Sequence, residues 1–374
     1  MSERSRWCRV ALCFGLSLVL GGCMKHTVEV GGEKVRFEPP KVVSPLPTSA
    51  LSNPSEAWQR YRRAEIDPRV REVPAAIQAG IKTDPDRYLP ELSAFLVDDA
   101  DDDFHAVKRL HDWVADNISY DTESYFSGTI ERSSTGLASV FETGSSVCSG
   151  YANVFQAMAE AAGFETERVS GYARGYSYDA FGSEDSSKSN HAWNAVQIQG
   201  EYYLVDTTWN SGHVNRSDGF IKAYSTRYLF IPPAAFIHRH FPAEEAWQLL
   251  DEPLSQEDFA ALPYLKGRFF AAGLELQTPL ERINHVGSTT RIRVAYPEET
   301  VAFWTLRSSN GTKQLDRIRV QETEDGEDLL VIFPAPGDWM VSVFVKPKES
   351  SGTYWKAAEF AFNASEGSPI RFTD

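Results

Sequence analysis

The sequence has little cysteine and no excess of basic residues. Its 374 residues include only 4 cysteines, and 37 Lys and Arg stand against 52 Asp and Glu, giving a formal net charge of −15. This balance argues against a nucleic-acid-binding protein, because such proteins normally present a basic surface to the phosphates. Hydrophobic residues make up 42% of the chain, as in ordinary globular proteins. A chain of this length predicts two or three folded domains.

A long apolar run is also missing at the N-terminus. Val10–Leu20 would be about 16 Å long as a helix, whereas the hydrocarbon core of a bilayer is about 30 Å thick. Arg4, Arg6 and Arg9 precede this run, and a basic segment before a short apolar one is typical of a cleaved export signal. We therefore predict a signal peptide over residues 1–22.

The segment Leu20–Cys23 resembles the lipobox of bacterial lipoproteins, in which the cysteine is lipidated and becomes the first residue of the mature chain. The resemblance implies that Cys23 carries the lipid. Removal of residues 1–22 leaves 34 basic and 51 acidic residues, a net charge of −17, so the acyl chains must supply the attachment to the membrane. Met24 follows the cysteine and favours the outer membrane. We expect a lipid-anchored protein of the bacterial cell envelope that faces the periplasm.

Composition divides the rest of the chain into a tether and two domains. Residues 23–60 are rich in proline and predict a semi-extended tether. Residues 61–265 form the first predicted domain. From about residue 60 to residue 120 its apolar residues have helical spacing, and Asp102 and Asp103 can cap the helix that follows them. The acidic run Asp98–Asp103 lacks the turn glycine and terminal glutamate of a calcium loop. We interpret it as the solvated start of a helix.

Residues 266–374 form the second predicted domain, in which the pattern changes from about residue 285 to the two-residue alternation of β-strands. Short β runs separated by turn signals such as Asn310-Gly311 predict an immunoglobulin-like sandwich without a cysteine pair. We expect this domain to support the first one or to dock an envelope protein partner. The runs are Arg291–Tyr296, Val301–Leu306, Leu315–Val320, Leu329–Phe333, Trp339–Val345 and Trp355–Phe362.

Once the signal peptide and the lipidated cysteine are set aside, Cys148 is the only thiol of the folded body. A lone cysteine is commonly a small buried hydrophobe. Here, however, the loop Gly144–Val147 precedes it and apolar residues at helical spacing follow it as far as Gly163. This pattern places Cys148 at a helix N-terminus, where the dipole and the unpaired N–H groups lower a thiol pKa and can hold an oxyanion.

A histidine and an aspartate follow on a predicted β-hairpin. If Ile198 faces Glu201 across the turn, His191 and Asp206 become diagonal neighbours on one face of the sheet. Asp206 would then orient the His191 imidazole, and His191 would take the proton of Cys148. The alternative at this point is a structural pair on a strand surface, and a three-residue loop would put the two residues on opposite faces.

Several motifs together resemble the transglutaminase-like superfamily, and within it the kyphoscoliosis peptidase branch. The resemblance covers roughly residues 85–265. Its motifs are Ile118–Asp121, Val147–Ala152, Gly171–Tyr176, His191–Val196, Leu204–Gly212, Phe236–Pro242 and Trp247–Leu250.

The resemblance implies an α+β fold of papain type, in which a nucleophile helix packs on an antiparallel sheet, with a β-sandwich after it. It also implies that Cys148 is the nucleophile, His191 the base and Asp206 the orienting acid. The expected activity is that of a cysteine peptidase or transglutaminase-like acyl transferase that acts on protein or peptide amides without a cofactor. The alternative is a non-catalytic envelope adaptor that uses the same groove to bind a partner.

Two departures from the family pattern favour hydrolysis over amine transfer. Ser149 stands after the nucleophile where authentic transglutaminases carry tryptophan, and the residue immediately before the cysteine is Val147 rather than glutamine. We name Trp193, Trp209 and Tyr120 as candidates for the substrate groove, with Tyr120 also a candidate oxyanion donor. The run His238-Arg239-His240 lacks nearby ligands at metal-site spacing and is interpreted as a structural loop, so no metal site is expected.

Overall fold

The computed structural model describes residues 27–30, 33–36, 56–215, 217 and 219–372. The predicted signal peptide, with Cys8 and Cys13, and the lipidation site at Cys23 lie outside these residues, as does most of the predicted tether. Within the tether, β1 (Thr27–Val30) and β2 (Glu33–Arg36) form an antiparallel hairpin with Val28 opposite Val35. Valines alternate with polar residues in these two segments, which favours strands. The semi-extended tether over residues 23–60 stays a prediction, with a strand pair inside it.

The first half of the body is mostly helical. Asp102 accepts the His105 N–H at 2.7 Å and so caps a fifteen-residue helix, as predicted for the end of the acidic run. Among the described residues no helix combines the length and apolar character needed to cross a membrane. The helices up to the nucleophile are α1 (Glu56–Tyr61), α2 (Ala75–Gly80), α3 (Pro85–Val97), α4 (Asp103–Asn117), α5 (Thr122–Ser127), α6 (Leu137–Thr143) and α7 (Cys148–Ala161).

An antiparallel sheet packs against α7. Its strands lie in the order β10-β5-β6-β7, and α7 contributes buried apolar residues such as Phe155 and Met158 to the core beneath it. Short helices and strand pairs complete this domain. The elements are β3 (Ser119–Tyr120), β4 (Ser145–Ser146), β5 (Thr166–Ala173), β6 (His191–Ile198), β7 (Glu201–Val205), α8 (Thr207–Ser211), β8 (Gly212–Asn215), β9 (Gly219–Lys222), α9 (Pro233–Phe236), β10 (His240–Pro242) and α10 (Gln256–Ala261).

The C-terminal part consists of two sheets with buried inner faces. One sheet has the order β11-β19-β18-β15, with β13 beside β19, and the other has the order β12-β14-β17-β16. Val341 and Phe360 of the first sheet and Ile292 and Val331 of the second are fully buried. The elements are β11 (Tyr264–Leu265), α11 (Gly267–Ala271), β12 (Glu275–Leu276), β13 (Ile283–Val286), β14 (Thr289–Ala295), β15 (Thr300–Ser308), β16 (Ile318–Thr323), β17 (Gly326–Ile332), β18 (Gly337–Pro347) and β19 (Trp355–Ala364).

One predicted strand differs at its start. Leu315–Arg317 forms a 3-10 turn, and the strand begins only at Ile318. Arg317 is buried and donates to the carbonyl of Ser368 at 2.8 Å, which holds the turn against the C-terminal segment. Each of the remaining predicted runs overlaps one observed strand, namely β14, β15, β17, β18 or β19, with ends that differ by up to three residues. The fold is α+β: a helix on an antiparallel sheet, followed by an all-β sandwich.

Candidate active site

Cys148 is the first residue of α7, as its sequence context predicts. The preceding Val147 offers no side-chain cap, and the intrahelical ladder begins with Gly150 N–H donating to the Val147 carbonyl at 2.9 Å. A Cβ at Gly150 would lie 2.0 Å from Ser146 Oγ, so only glycine lets the helix start this close to β4. The thiol is 9% exposed and is the one free cysteine of the described residues.

The β6–β7 hairpin has the predicted register. Ile198 pairs with Glu201, and the turn residues Gln199 (φ 55°) and Gly200 (φ 89°) both adopt left-handed conformations, as a two-residue hairpin turn requires. This register brings His191, the first residue of β6, to the end of the sheet nearest Cys148. The hydrogen-bond partners of His191 follow from that position.

Asp206 reaches His191 by a different route from the one predicted. Strand β7 ends at Val205, so Asp206 does not pair with Trp193 and Thr208 does not pair with His191. Instead Asp206 caps α8: its Oδ1 accepts the N–H of Trp209 at 2.9 Å. Strand β7 ends here because Asp206 is the N-cap of a helix, and its carboxylate satisfies an N–H group in the first turn of α8.

The other carboxylate oxygen of Asp206 accepts two hydrogen bonds. Nε2 of His191 lies 2.8 Å from Oδ2, and Nε2 of His240 lies 3.0 Å from the same atom. The carboxylate is fully buried. Burial alone would raise its pKa, but the charge of His191 and the two imidazole hydrogen bonds outweigh that effect and hold the pKa well below its usual range. Asp206 is therefore ionised.

Cys148 and His191 shift the pKa of each other in opposite directions. Burial raises the pKa of the thiol, but the imidazole of His191 and the backbone N–H of Ala192 outweigh burial, so the net shift lowers the pKa. For His191, burial lowers the pKa, and the Asp206 carboxylate and the Cys148 sulfur outweigh it, raising the pKa to about 10. The two opposite shifts favour a thiolate–imidazolium pair at neutral pH.

His240 is a site residue that the sequence analysis missed. It is fully buried, its ring stacks on Phe236 at 3.8 Å, and burial lowers its pKa to about 3 despite the neighbouring Asp206. It is therefore a neutral donor to Asp206. His238 faces another way and hydrogen-bonds the Pro263 carbonyl at 3.2 Å, so the interpretation of His238-Arg239-His240 as a structural loop is wrong for His240. The sequence signal for His240 was its position in Phe236–Pro242, one of the motifs that resemble the transglutaminase-like superfamily.

A buried network fixes the helix that carries Asp206. Asn210 of α8 donates to Nε2 of His111 at 2.9 Å and accepts from Ser225 Oγ and the Tyr228 N–H, both at 3.1 Å. His111 in turn bonds Asp112 at 2.9 Å on α4. Because α8 has only five residues, these contacts rather than helix propensity hold it in place.

His191, Asp206 and His240 also form a possible ligand set for a metal ion, since their ligand atoms all lie within 4.8 Å of one another. Two histidines and a carboxylate would suit a first-row transition metal. The Nε2 atom of each imidazole already lies at hydrogen-bonding distance from the carboxylate, so these hydrogen bonds account for the cluster. We assign no metal role to it.

The three groove candidates have different positions. Trp193 is 1% exposed and packs edge-on against Phe236, so it belongs to the core and does not form a groove wall. Trp209 is half-buried and stacks on the His191 imidazole at 5.1 Å. Tyr120 is partly buried; burial and the nearby Cys148 raise the pKa of its hydroxyl. Trp209 and Tyr120 therefore lie beside the reacting groups.

Comparison with known proteins agrees with this architecture. A profile of the transglutaminase-like superfamily matches residues 90–207, and a profile of the KY-like immunoglobulin-like domain matches residues 256–370. The chain thus carries a transglutaminase-like domain followed by a KY-like immunoglobulin-like domain. Cys148 and His191 lie within the first match, and Asp206 lies near its end.

Curated proteins are similar to this chain over part of its length. Kyphoscoliosis peptidase of Mus musculus is 31% identical over 260 residues, and that of Homo sapiens is 30% identical over 260 residues. Each alignment covers 69% of this chain but only 38% of the relative. A solved structure of a TGase is similar over 36% of this chain and 32% of its own, with 18% identity and a TM-score of 0.26, a likeness too small to carry an argument.

Proposed function

We propose that this protein is a lipid-anchored thiol enzyme of the bacterial cell envelope that hydrolyses peptide or glutamine amides through an acyl-enzyme on Cys148. The observation that carries the proposal is the linked set of Cys148, His191 and Asp206 at one end of the sheet. The hydrogen bond between His191 and Asp206, at 2.8 Å, orients the imidazole toward the sulfur.

In this mechanism the Cys148 thiolate attacks the carbonyl carbon of the amide. The carbon–nitrogen bond then breaks, and the leaving nitrogen takes a proton from the His191 imidazolium, departing as ammonia or an amine. The neutral imidazole next takes a proton from water, whose oxygen attacks the thioester and releases the carboxylic acid and the thiolate. The backbone N–H of Cys148, at the start of α7, is suited to hold the oxyanion.

Hydrolysis is favoured because, among the described residues, one of the two tryptophans beside His191 is buried in the core and cannot wall a water-excluding acceptor channel. Of the two tryptophans nearest His191, Trp193 is buried in the core and only Trp209 is placed to contact a substrate. Ser149, next to the nucleophile, is a small polar residue. Water can therefore compete with an amine for the thioester.

A row of aromatic rings supports a peptide substrate with an apolar side chain near the scissile amide. Tyr120, beside Cys148, is 5.7 Å from Tyr125, which is 5.4 Å from Phe126, which is 5.7 Å from Tyr176. Phe126 is 41% exposed and Tyr176 is 47% exposed. An apolar surface that runs from the nucleophile to solvent is suited to bind part of a peptide chain.

The test incubates the protein with a glutamine-containing peptide, with and without a primary amine, and measures the products by mass spectrometry. We expect hydrolysis products in both samples, a minor amine adduct, and no product from Cys148→Ala. The adaptor alternative predicts no product from either protein and an unchanged in vivo role for Cys148→Ala. That result would overturn the enzymatic proposal.

Membrane attachment needs a separate test. Cys23→Ser should move the protein from the membrane fraction to the soluble fraction, since the lipid would have no acceptor. Cys13→Ser, within the predicted signal peptide, is the matched control and should remain in the membrane fraction. Equal fractionation of both variants would contradict lipidation at Cys23.

A further inference from the structure

Cationic side chains line a cavity outside the active site. The cavity has a volume of about 260 Å³ and lies where α1, the segment before α9, helix α11 and the sandwich sheet with β18 and β19 meet. Its lining includes no acidic residue, although the chain as a whole has 52 acidic and 37 basic residues. We call it the arginine-lined cavity; its cations are Arg62, Arg63, Arg227, Arg268 and Lys346.

Within the described part of the chain, none of these five cations has a carboxylate oxygen within 4.0 Å. Arg62 and Arg63 both donate to one backbone oxygen, that of Ala271, at distances of 3.1 to 3.3 Å. The Lys346 ammonium donates to the Ser350 carbonyl at 2.9 Å. These acceptors are neutral, so they satisfy N–H groups without balancing charge.

Arg227 and Arg268 have the fewest contacts. Arg268 lies 4.7 Å above the ring of Trp355, and Arg227 makes neither a hydrogen bond nor an ion pair with the described residues. Burial lowers the pKa of both, and the charge of Arg227 adds to the effect on Arg268, whose pKa falls to about 10. Glu299 acts on the edge of the cluster and favours the charged form of Arg62. Glu298, Glu299 and Glu349 line a neighbouring cavity together with Arg63.

Such a cluster costs free energy in the unliganded protein, because like charges repel and partly buried cations lose hydration. An anion in the cavity would reverse that cost. Guanidinium groups bind phosphate through paired N–H donors, and four of the five cations here are arginines. A dianionic phosphate also balances more of the cluster than one carboxylate does.

We propose that the arginine-lined cavity is a binding site for a phosphate group. Its volume is slightly below the range of about 300 to 1,000 Å³ of sites that enclose a whole small molecule, so the cavity fits the phosphate end of a ligand. Trp355, 52% exposed at its rim, offers an aromatic face to the group that the phosphate carries. A soluble phosphomonoester and a lipid headgroup both present phosphate oxygens to the arginines, with about two negative charges in the monoester and one in the phosphodiester of the headgroup.

The proposal is tested by titration calorimetry of the full-length protein in detergent at fixed ionic strength. We expect saturable 1:1 binding of glycerol 3-phosphate, and weakening by at least about tenfold in both Arg227→Gln and Arg268→Gln. Arg319→Gln removes the same charge from the exposed surface of β16 and should leave the affinity unchanged. Thermal unfolding of each variant confirms that it is folded at the temperature of the titration.

A second arm distinguishes the two sources of phosphate. Vesicles of phosphatidylethanolamine with phosphatidylglycerol, compared with phosphatidylcholine alone, report binding to a headgroup. Binding of either phosphate source that is lost in Arg227→Gln supports the site. Succinate binding as tight as glycerol 3-phosphate binding, no binding in both arms, or binding that is insensitive to both arginine variants overturns it.

Discussion

Around Asp206, the carboxylate has two imidazoles within 3.0 Å and a backbone N–H at 2.9 Å. The five cations of the arginine-lined cavity, by contrast, have no carboxylate oxygen within 4.0 Å in the part of the chain that the structure describes. Both regions hold charge away from bulk water. In the first, opposite charges stabilise one another, and removal of one group leaves its partners unsatisfied. In the second, like charges oppose one another, and removal of one relieves repulsion. Neutralising one charged side chain should therefore weaken the first region and stabilise the second.

The largest effect is expected for Asp206→Asn. Asparagine can still cap α8, but it removes the negative charge that raises the pKa of His191. We expect the turnover rate, measured with the glutamine peptide, to fall by about 10³- to 10⁴-fold. Asp121→Asn is the matched control, because Asp121 caps α5 through a 3.0 Å bond to Ser124 N–H and has no histidine partner among the residues that the structure describes. A loss of the same size in both variants would contradict an orienting role.

A smaller effect is expected for His240→Phe. Phenylalanine keeps the stacking on Phe236 but lacks the N–H that reaches Asp206, so the carboxylate is held less firmly. We expect turnover to fall about tenfold, with a shifted pH profile and partial rescue in His240→Gln.

His238→Gln is the control for that substitution. The His238 imidazole is buried two residues away, and its side-chain hydrogen bond within the described part of the chain is to the Pro263 carbonyl. Its variant should keep both the rate and the pH profile. If His240→Phe lowered stability without changing the profile, His240 would be a packing residue only.

The smallest expected effect is a gain in stability rather than a loss of function. Arg227→Gln should raise the free energy of unfolding by about 0.5 kcal/mol in phosphate-free buffer, since it removes an unbalanced cation. Arg109→Gln should lower it by about 1 to 3 kcal/mol, because Arg109 is paired with Asp99 at 2.8 Å and Asp67 at 3.3 Å. Urea unfolding of both variants measures the difference. Destabilisation by Arg227→Gln would break the contrast between the two regions.

The sequence predicts which residues form the triad better than it predicts how those residues contact one another. The helix start at Cys148 and the turn at Gln199-Gly200 follow from local signals, namely loop residues before an apolar helical pattern and two residues that tolerate positive φ. The same local logic fails at Asp206. A hairpin continued by counting residues cannot reveal that the side chain caps a helix and ends the strand.

The rest of the site depends on long-range contacts. His240 lies 34 residues from Asp206, and Asn210 lies 99 residues from His111. The arginine-lined cavity likewise collects residues from both domains. Side-chain periodicity identifies helices and strands but does not show which of their ends meet. Neither the contact of His240 with Asp206 nor the cavity could therefore be predicted from periodicity alone.

The central claim is that Cys148 is held as a thiolate by His191 and Asp206, and the pH dependence of its alkylation tests this most directly. Iodoacetamide labelling of Cys148, followed by mass spectrometry with Cys148→Ala as the blank, should remain fast well below pH 8. In His191→Ala the midpoint should rise to that of an ordinary thiol, and Asp206→Asn should slow the labelling. A midpoint near 8.5 in the parent protein, the value of a free cysteine, unchanged in both variants, would contradict the account.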